Sequence, residues 1–282
     1  MEIAALSVLP IEEAVRYGRT RFPAKLYLPL ALFLCAAALA GGRALAPLDL
    51  TITLVLATSL LFQFRLWDDL SDRERDRLEH PERVLTQTTS VTFFRTLIFA
   101  AFVLNLALIA ASAGPRWRLE LFVLGNISFL LWYRWRRKLC RNEVARSHLL
   151  LGKYPFFVYL LSGESFQTSG GRLSLAMLLV FLCFCVYELL HDARLHRAPG
   201  GLKVLAVEMM AVCAVSAVMA VTLGERSGLA ATLQAIITVA GGFFLALLFL
   251  RYRAGVQTRF ENYAVFILGF FQALTFSLGG GP

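Results

Sequence analysis

Nine long apolar runs alternate with short charged breaks along this chain. They cover roughly residues 25–39, 50–67, 91–113, 119–135, 147–161, 173–190, 202–223, 229–250 and 263–278. About 20 apolar helical residues cross the ~30 Å hydrocarbon core of a bilayer, and a helix satisfies all its backbone hydrogen bonds internally. The pattern therefore predicts an all-α polytopic membrane protein of about nine transmembrane helices, in one membrane domain spanning residues 1–282. A large soluble helical protein would need polar helix faces, which these runs almost lack. Before the first run, residues 1–24 carry Glu12, Glu13, Arg16, Arg19 and Arg21, and read as an amphipathic lead-in lying at the membrane surface. Residues 68–90 and 191–203 read as loops that continue acidic helix ends.

The distribution of positive charge orients the spans. Twenty of the 28 Lys and Arg fall in the N-terminal segment and in the second, fourth, sixth and eighth connections, against five on the opposite side (Arg43, Arg116, Arg118, Arg172 and Arg226). The positive-inside rule then puts the N-terminus and both acidic loops in the cytoplasm, and a bacterial inner membrane is the expected location. The net charge of +9 is accounted for by topology and lipid headgroups, so nucleic acid is not an expected partner. Mean hydropathy of +0.65 agrees with a membrane protein. The five cysteines, Cys35, Cys140, Cys183, Cys185 and Cys213, lie mostly within apolar runs, read as small hydrophobes, and show no metal-ligand spacing.

The second run ends in the most polar stretch of the chain, from Trp67 to Arg83. Asp69, Asp72 and Asp76 stand at i, i+3 and i+7, so a continuous helix would carry them on one face, and like charges held together call for a cation between them. Arg73, Arg75 and Arg77 offer the alternative of a solvated loop whose charges pair with one another. A second acidic pair, Glu188 and Asp192, ends the sixth run at i, i+4 with His191 between them. Magnesium favours carboxylates plus substrate phosphates. These acids could therefore hold Mg²⁺ and a diphosphorylated lipid, with Arg134, Arg137, Lys138 and Lys153 on the outer phosphate oxygens. Asp68 reads as a cap or a supporting group. Asn105 and Asn126 read as interhelical hydrogen-bonders, Glu208 as a supporting or acceptor-side group, and His148 as interfacial.

The stretch Asp68-Asp69-Leu70-Ser71-Asp72-Arg73-Glu74-Arg75-Asp76 resembles the Asn-Asp-x-x-Asp-x-x-x-Asp motif of the UbiA superfamily of intramembrane prenyltransferases, with Asp68 where that family usually has Asn. His80-Pro81-Glu82-Arg83 is similar to the element that follows it, Tyr133 to Lys138 to the family's basic region, and Glu188-Leu189-Leu190-His191-Asp192 to its second motif, Asp-x-x-x-Asp. Arg194, Leu195 and His196 stand where the family often carries a further acid. The resemblance implies a nine-helix bundle and two Mg²⁺ ions held by Asp69, Asp72, Asp76, Glu188 and Asp192. It implies transfer of a prenyl group from a polyprenyl diphosphate to an acceptor, with diphosphate leaving. By base rate the acceptor is an aromatic or quinone precursor. A phosphorylated sugar is the alternative, and a non-catalytic lipid-binding or transport relative is another. Asp192-Ala193-Arg194 is only a fragment of the motif of CDP-alcohol phosphotransferases.

Overall fold

The structure is a computed structural model, and it describes residues 10–41, 46–112, 115–140, 142–163, 166–192, 194–195, 199–224, 228–256 and 258–279. Among these residues every regular element is a helix. In chain order they are α1 (Pro10–Arg21), α2 (Ala24–Ala38), α3 (Pro47–Ser71), α4 (Arg73–Glu79), α5 (Val84–Gln87), α6 (Val91–Ala111), α7 (Trp117–Leu139), α8 (Glu143–Leu151), α9 (Lys153–Ser162), α10 (Phe166–His191), α11 (Gly201–Gly224), α12 (Gly228–Arg253) and α13 (Arg259–Leu278). The starts follow local chemistry. Proline occupies the first turn of α3, where its missing N–H costs nothing. Asn142 caps α8 by accepting from the Ala145 N–H, and Thr258 and Glu261 form a reciprocal capping box on α13.

Six helices among the described residues are long and apolar enough to cross a bilayer: Ala24–Gly41, Pro47–Ser71, Val91–Ala111, Gly171–His191, Gly201–Leu223 and Gly228–Arg253. This is a multi-pass membrane protein. The predicted runs at 119–135 and 263–278 are helical, within α7 and α13, but are not among the six. The run at 147–161 is helical but broken at Gly152 into α8 and α9, and is not among the six. Pro155 lies in the first turn of α9 and has no N–H to carry the α8 ladder onward.

Helix α10 packs on α2, α9, α11 and α13, and α13 returns to α2, so the last helix closes the bundle against the first apolar one. The core centres on α2 and α10, where Ala31, Phe33, Leu34, Leu179, Cys183 and Val186 are buried. Outward-facing positions such as Val221, Phe243 and Phe260 remain exposed, as lipid-facing positions do. Small residues set the closest approaches. A Cβ on Gly269 of α13 would stand 2.6 Å from the Phe33 ring and 2.9 Å from Cys183 Sγ. Gly269→Ala is therefore expected to overpack this junction and cost roughly 1–3 kcal/mol, read as a lower apparent unfolding temperature in detergent. An unchanged transition would mean that the helices separate freely there.

Buried polar side chains join the helices. Gln63 of α3 donates to Asn126 Oδ1 of α7 at 2.6 Å and accepts from Asn105 Nδ2 of α6 at 2.7 Å. Both asparagines thus make the interhelical bonds expected of them; Gln63, their common partner, carries no distinctive signal in the sequence.

Candidate functional site

The acidic stretch does not present its three aspartates to one pocket. The chain turns at Asp72 (φ −95°, ψ 1°) between α3 and α4, and each carboxylate finds its own cations. Asp69 is buried under α1. It accepts from Arg21 at 2.7 and 3.0 Å and from the Tyr17 hydroxyl at 2.9 Å, and Arg65 lies 3.1 Å away. Asp76, also buried, accepts from Arg83 at 2.6 Å, across the turn that His80 and Pro81 make at the end of α4. Asp72 is bound by Arg75 at 2.6 Å. Like charges cannot share a dry pocket unaided, and the interleaved arginines divide them. Arg73 instead holds the loop itself, donating to the Leu85 and Thr88 carbonyls at 2.6 and 2.8 Å.

Segment α1 is thus more than a surface lead-in. Tyr17 and Glu13 are buried, Glu13 accepts from Thr88, and Tyr17 packs edge-on against Phe94. Asp69→Asn would remove the anion that two guanidiniums share and loosen α1. Trypsin should then cut after Arg16, Arg19 and Arg21 markedly faster than in the parent protein; equal cutting rates would mean the docking is apolar.

Three acids from the two motifs share a cavity. Asp72, Glu188 and Asp192 line one cavity of ≈ 110 Å³ with Arg75, Arg146 and Arg194. Its cations are already engaged: Arg75 with Asp72, Arg146 with Glu143 at 3.6 Å, and Arg194 with Asp192 at 2.8 Å and Glu79 at 3.3 Å. Arg194, in the position where the resemblance leads one to look for an acid, is therefore a strut between the two motifs. Burial works against the Asp192 charge, but the Arg194 side chain and backbone N–H donate to it and hold its carboxyl below the usual aspartate range. The clasp is accordingly complete at neutral pH and is lost only as pH falls through that lowered value. Glu188 differs. Among the described residues it has no hydrogen-bonded or ion-paired partner. Glu188, Asp72 and Asp192 supply only oxygen ligands, the kind a hard divalent cation takes, but they line the cavity without closing on one point: among the described residues the one trio of ligand atoms within 4.8 Å of one another is that of His148, Cys185 and Glu208.

Of the predicted phosphate ligands, the side chains of Lys153 and Arg134 are among the described residues. Lys153 is buried and pairs with Asp68, which also accepts from Tyr133. Arg134 is exposed on α7. The Arg137 and Lys138 side chains lie outside the described residues. His191 stacks on Tyr187 at 5.1 Å, and Tyr187 lies 4.7 Å from Phe266 and 5.2 Å from Tyr263. Those last two rings also wall an apolar groove of ≈ 640 Å³ between α2 and α13, with Pro29, Leu30 and Phe270. The groove's rings thus meet Tyr187, the residue before Glu188, while the groove and the acidic cavity share no lining residue. Sequence reading did not anticipate the groove, nor Arg75, Arg146 and Arg194 as cavity residues. The charge of each arginine was visible, but nothing marked its partner.

A scan against protein-family models gives no match, and a search of curated proteins gives none. Solved structures do match. A UbiA homologue from Aeropyrum pernix K1 superposes with a TM-score of 0.68 over 90% of this chain and 96% of its own, at 15% identity. This chain has the UbiA-type fold. A digeranylgeranylglyceryl phosphate synthase superposes with a TM-score of 0.63 over 95% of this chain and 99% of its own, at 13% identity. The UbiA-type architecture thus extends over nearly the whole chain, and the two acidic motifs stand at the ends of α3 and α10 within it.

Proposed function

We propose that this UbiA-fold protein is a prenyltransferase, which moves a prenyl group from a polyprenyl diphosphate to a phosphorylated, non-aromatic alcohol such as a phosphorylated sugar or polyol. The observation that carries the reading is Glu188: a carboxylate with no hydrogen-bonded or ion-paired partner among the described residues, lining with Asp72 and Asp192 a cavity rimmed by three guanidiniums. The diphosphate would enter this cavity and draw Arg75 and Arg194 from their carboxylates onto its oxygens, where fork geometry suits phosphate. Asp72, Glu188 and Asp192 would then hold Mg²⁺, which when bound neutralises charge on the leaving diphosphate. The prenyl chain would lie along the groove between α2 and α13, past Tyr263 and Phe266. The C–O bond to diphosphate breaks with its electron pair going to the leaving group. The acceptor hydroxyl oxygen bonds to the prenyl carbon, and its proton leaves with the diphosphate. In this reading Asp69 and Asp76 hold α1 and the loop in place, and Lys153 positions Asp68.

The acceptor reading favours a phosphorylated alcohol over the aromatic or quinone precursor expected from base rate. One structural neighbour is a synthase named for a glyceryl phosphate, and Arg146 offers a further guanidinium for a second phosphate. The cavity end would face the cytoplasm in a nine-span topology, in line with the charge distribution. The test is diphosphate release by the purified protein in lipid, given geranyl to decaprenyl diphosphates, with and without Mg²⁺, and phosphorylated or aromatic alcohols as acceptors. Release that needs Mg²⁺ and a phosphorylated acceptor supports the reading. Release with aromatic acceptors alone overturns the acceptor, and binding without release under any condition overturns the enzyme.

A further inference from the structure

Below the acidic cavity, three side chains from three helices meet with no role in the reading above: His148 of α8, Cys185 of α10 and Glu208 of α11. Each offers one ligand atom, and these atoms lie within 4.8 Å of one another. Cys185 and Glu208 are buried, at 0% and 7% exposure. Cys185 precedes Glu188 by three residues, so it lies on the same face of α10, about 4.5 Å along the axis. The two clusters share no residue.

The protons at this cluster can be assigned from its geometry. His148 Nδ1 stands 2.6 Å from the Val144 carbonyl oxygen. A carbonyl only accepts, so Nδ1 carries the hydrogen and the Nε2 position turns to Glu208 Oε1, with which it is in contact. Two acceptors face each other there, and something positive must lie between them: a proton or a metal ion. A proton would serve one carboxylate oxygen. The other, Oε2 of Glu208, is buried with no hydrogen-bond partner, and the Cys185 sulfur stands idle at the third corner.

We propose that His148, Cys185 and Glu208 bind a thiolate-preferring divalent cation of the zinc class. Imidazole nitrogen, carboxylate oxygen and thiolate sulfur bind zinc at about 2.0–2.3 Å in a tetrahedron, which sets ligand atoms roughly 3.3–3.7 Å apart; here all three atoms lie within 4.8 Å, with His148 Nε2 and Glu208 Oε1 in direct contact, so that pair must part by about an ångström as the ion enters. Neutral imidazole, one carboxylate, one thiolate and a divalent cation sum to zero charge, as a site between apolar helices requires. The Nδ1–H bond to a backbone carbonyl is the arrangement that fixes a ligating histidine's tautomer. The fourth position is left for water or a substrate group. Oxygen-only donors above and a sulfur donor below would sort two kinds of cation between adjacent sites. This inference rests on the cluster's geometry alone and stands or falls apart from prenyl transfer.

The full chain would be produced in zinc-supplemented medium, purified in detergent, and assayed for metal by mass spectrometry, then reloaded with Co²⁺ after chelation. Stoichiometric zinc and a near-ultraviolet thiolate-to-cobalt absorption band are expected. Cys185→Ser, close in shape, should abolish the band, and Glu208→Gln should reduce zinc to background. Cys213→Ser should keep both, since Cys213 faces α12, where a Cβ on Gly242 would lie 3.9 Å from its sulfur. Monodisperse parent protein with neither zinc nor the cobalt band would overturn the proposal and leave a shared proton. So would zinc that persists in both cluster variants. The parent protein's cobalt spectrum decides the matter even if a variant fails to fold.

Discussion

Asp72→Asn is expected to lower Mg²⁺-dependent diphosphate release by about 10²–10³-fold, the scale seen when one group that stabilises developing charge is removed, while the protein still folds. Asp72 is the one aspartate of the first motif that reaches the cavity shared with Glu188 and Asp192. The change keeps volume and removes charge, and Arg75, its partner at 2.6 Å, is only half-buried, so water can take up the freed guanidinium. Asp76→Asn should behave differently. Its carboxylate is buried against Arg83 outside the cavity, so the loss should appear first in the thermal transition and only secondarily in turnover. Release rates and unfolding temperatures measured on both variants would separate the roles. Full activity in Asp72→Asn would remove the cavity from consideration as the reaction site.

Lys153→Met is expected to cost about 3–5 kcal/mol of stability, the usual consequence of leaving one member of a buried pair without its counter-charge. The Lys153 side chain is 3% exposed, and its partner Asp68 only 16%. Tyr133 would remain as a neutral donor to Asp68 and could not replace the charge. Adding Asp68→Asn should restore most of the lost stability, because a buried pair replaced on both sides is often nearly neutral. The double-mutant cycle in detergent reads the coupling directly. If Lys153→Met instead leaves the transition unchanged and raises the KM for the prenyl diphosphate, the ammonium serves the substrate rather than Asp68.

The helices were legible because lipid enforces them: apolar length translates into spans wherever the backbone must satisfy itself. All nine predicted segments are helical, although one of them is two helices. That break left signals in Gly152 and Pro155, but the pairing of Lys153, just after it, with Asp68 depends on a partner 85 residues away. The site was legible in its residue types and less so in its pairing. Asp69, Asp72 and Asp76 share a helical face on paper, yet Arg21, from a segment expected at the surface, takes the first of them.

By itself, then, the sequence determined an all-helical membrane chain with two acidic helix ends, since periodicity, charge asymmetry and motif spacing are properties of neighbouring residues. Tertiary structure decided which acids share a cavity. It brought Asp72 into one with Glu188 and Asp192, gave Asp69 and Asp76 to arginines, and set His148, Cys185 and Glu208 side by side from three helices. Those outcomes turn on contacts between residues distant in the chain, where a carboxylate goes to whichever cation the packing delivers, and local spacing carries no record of that choice.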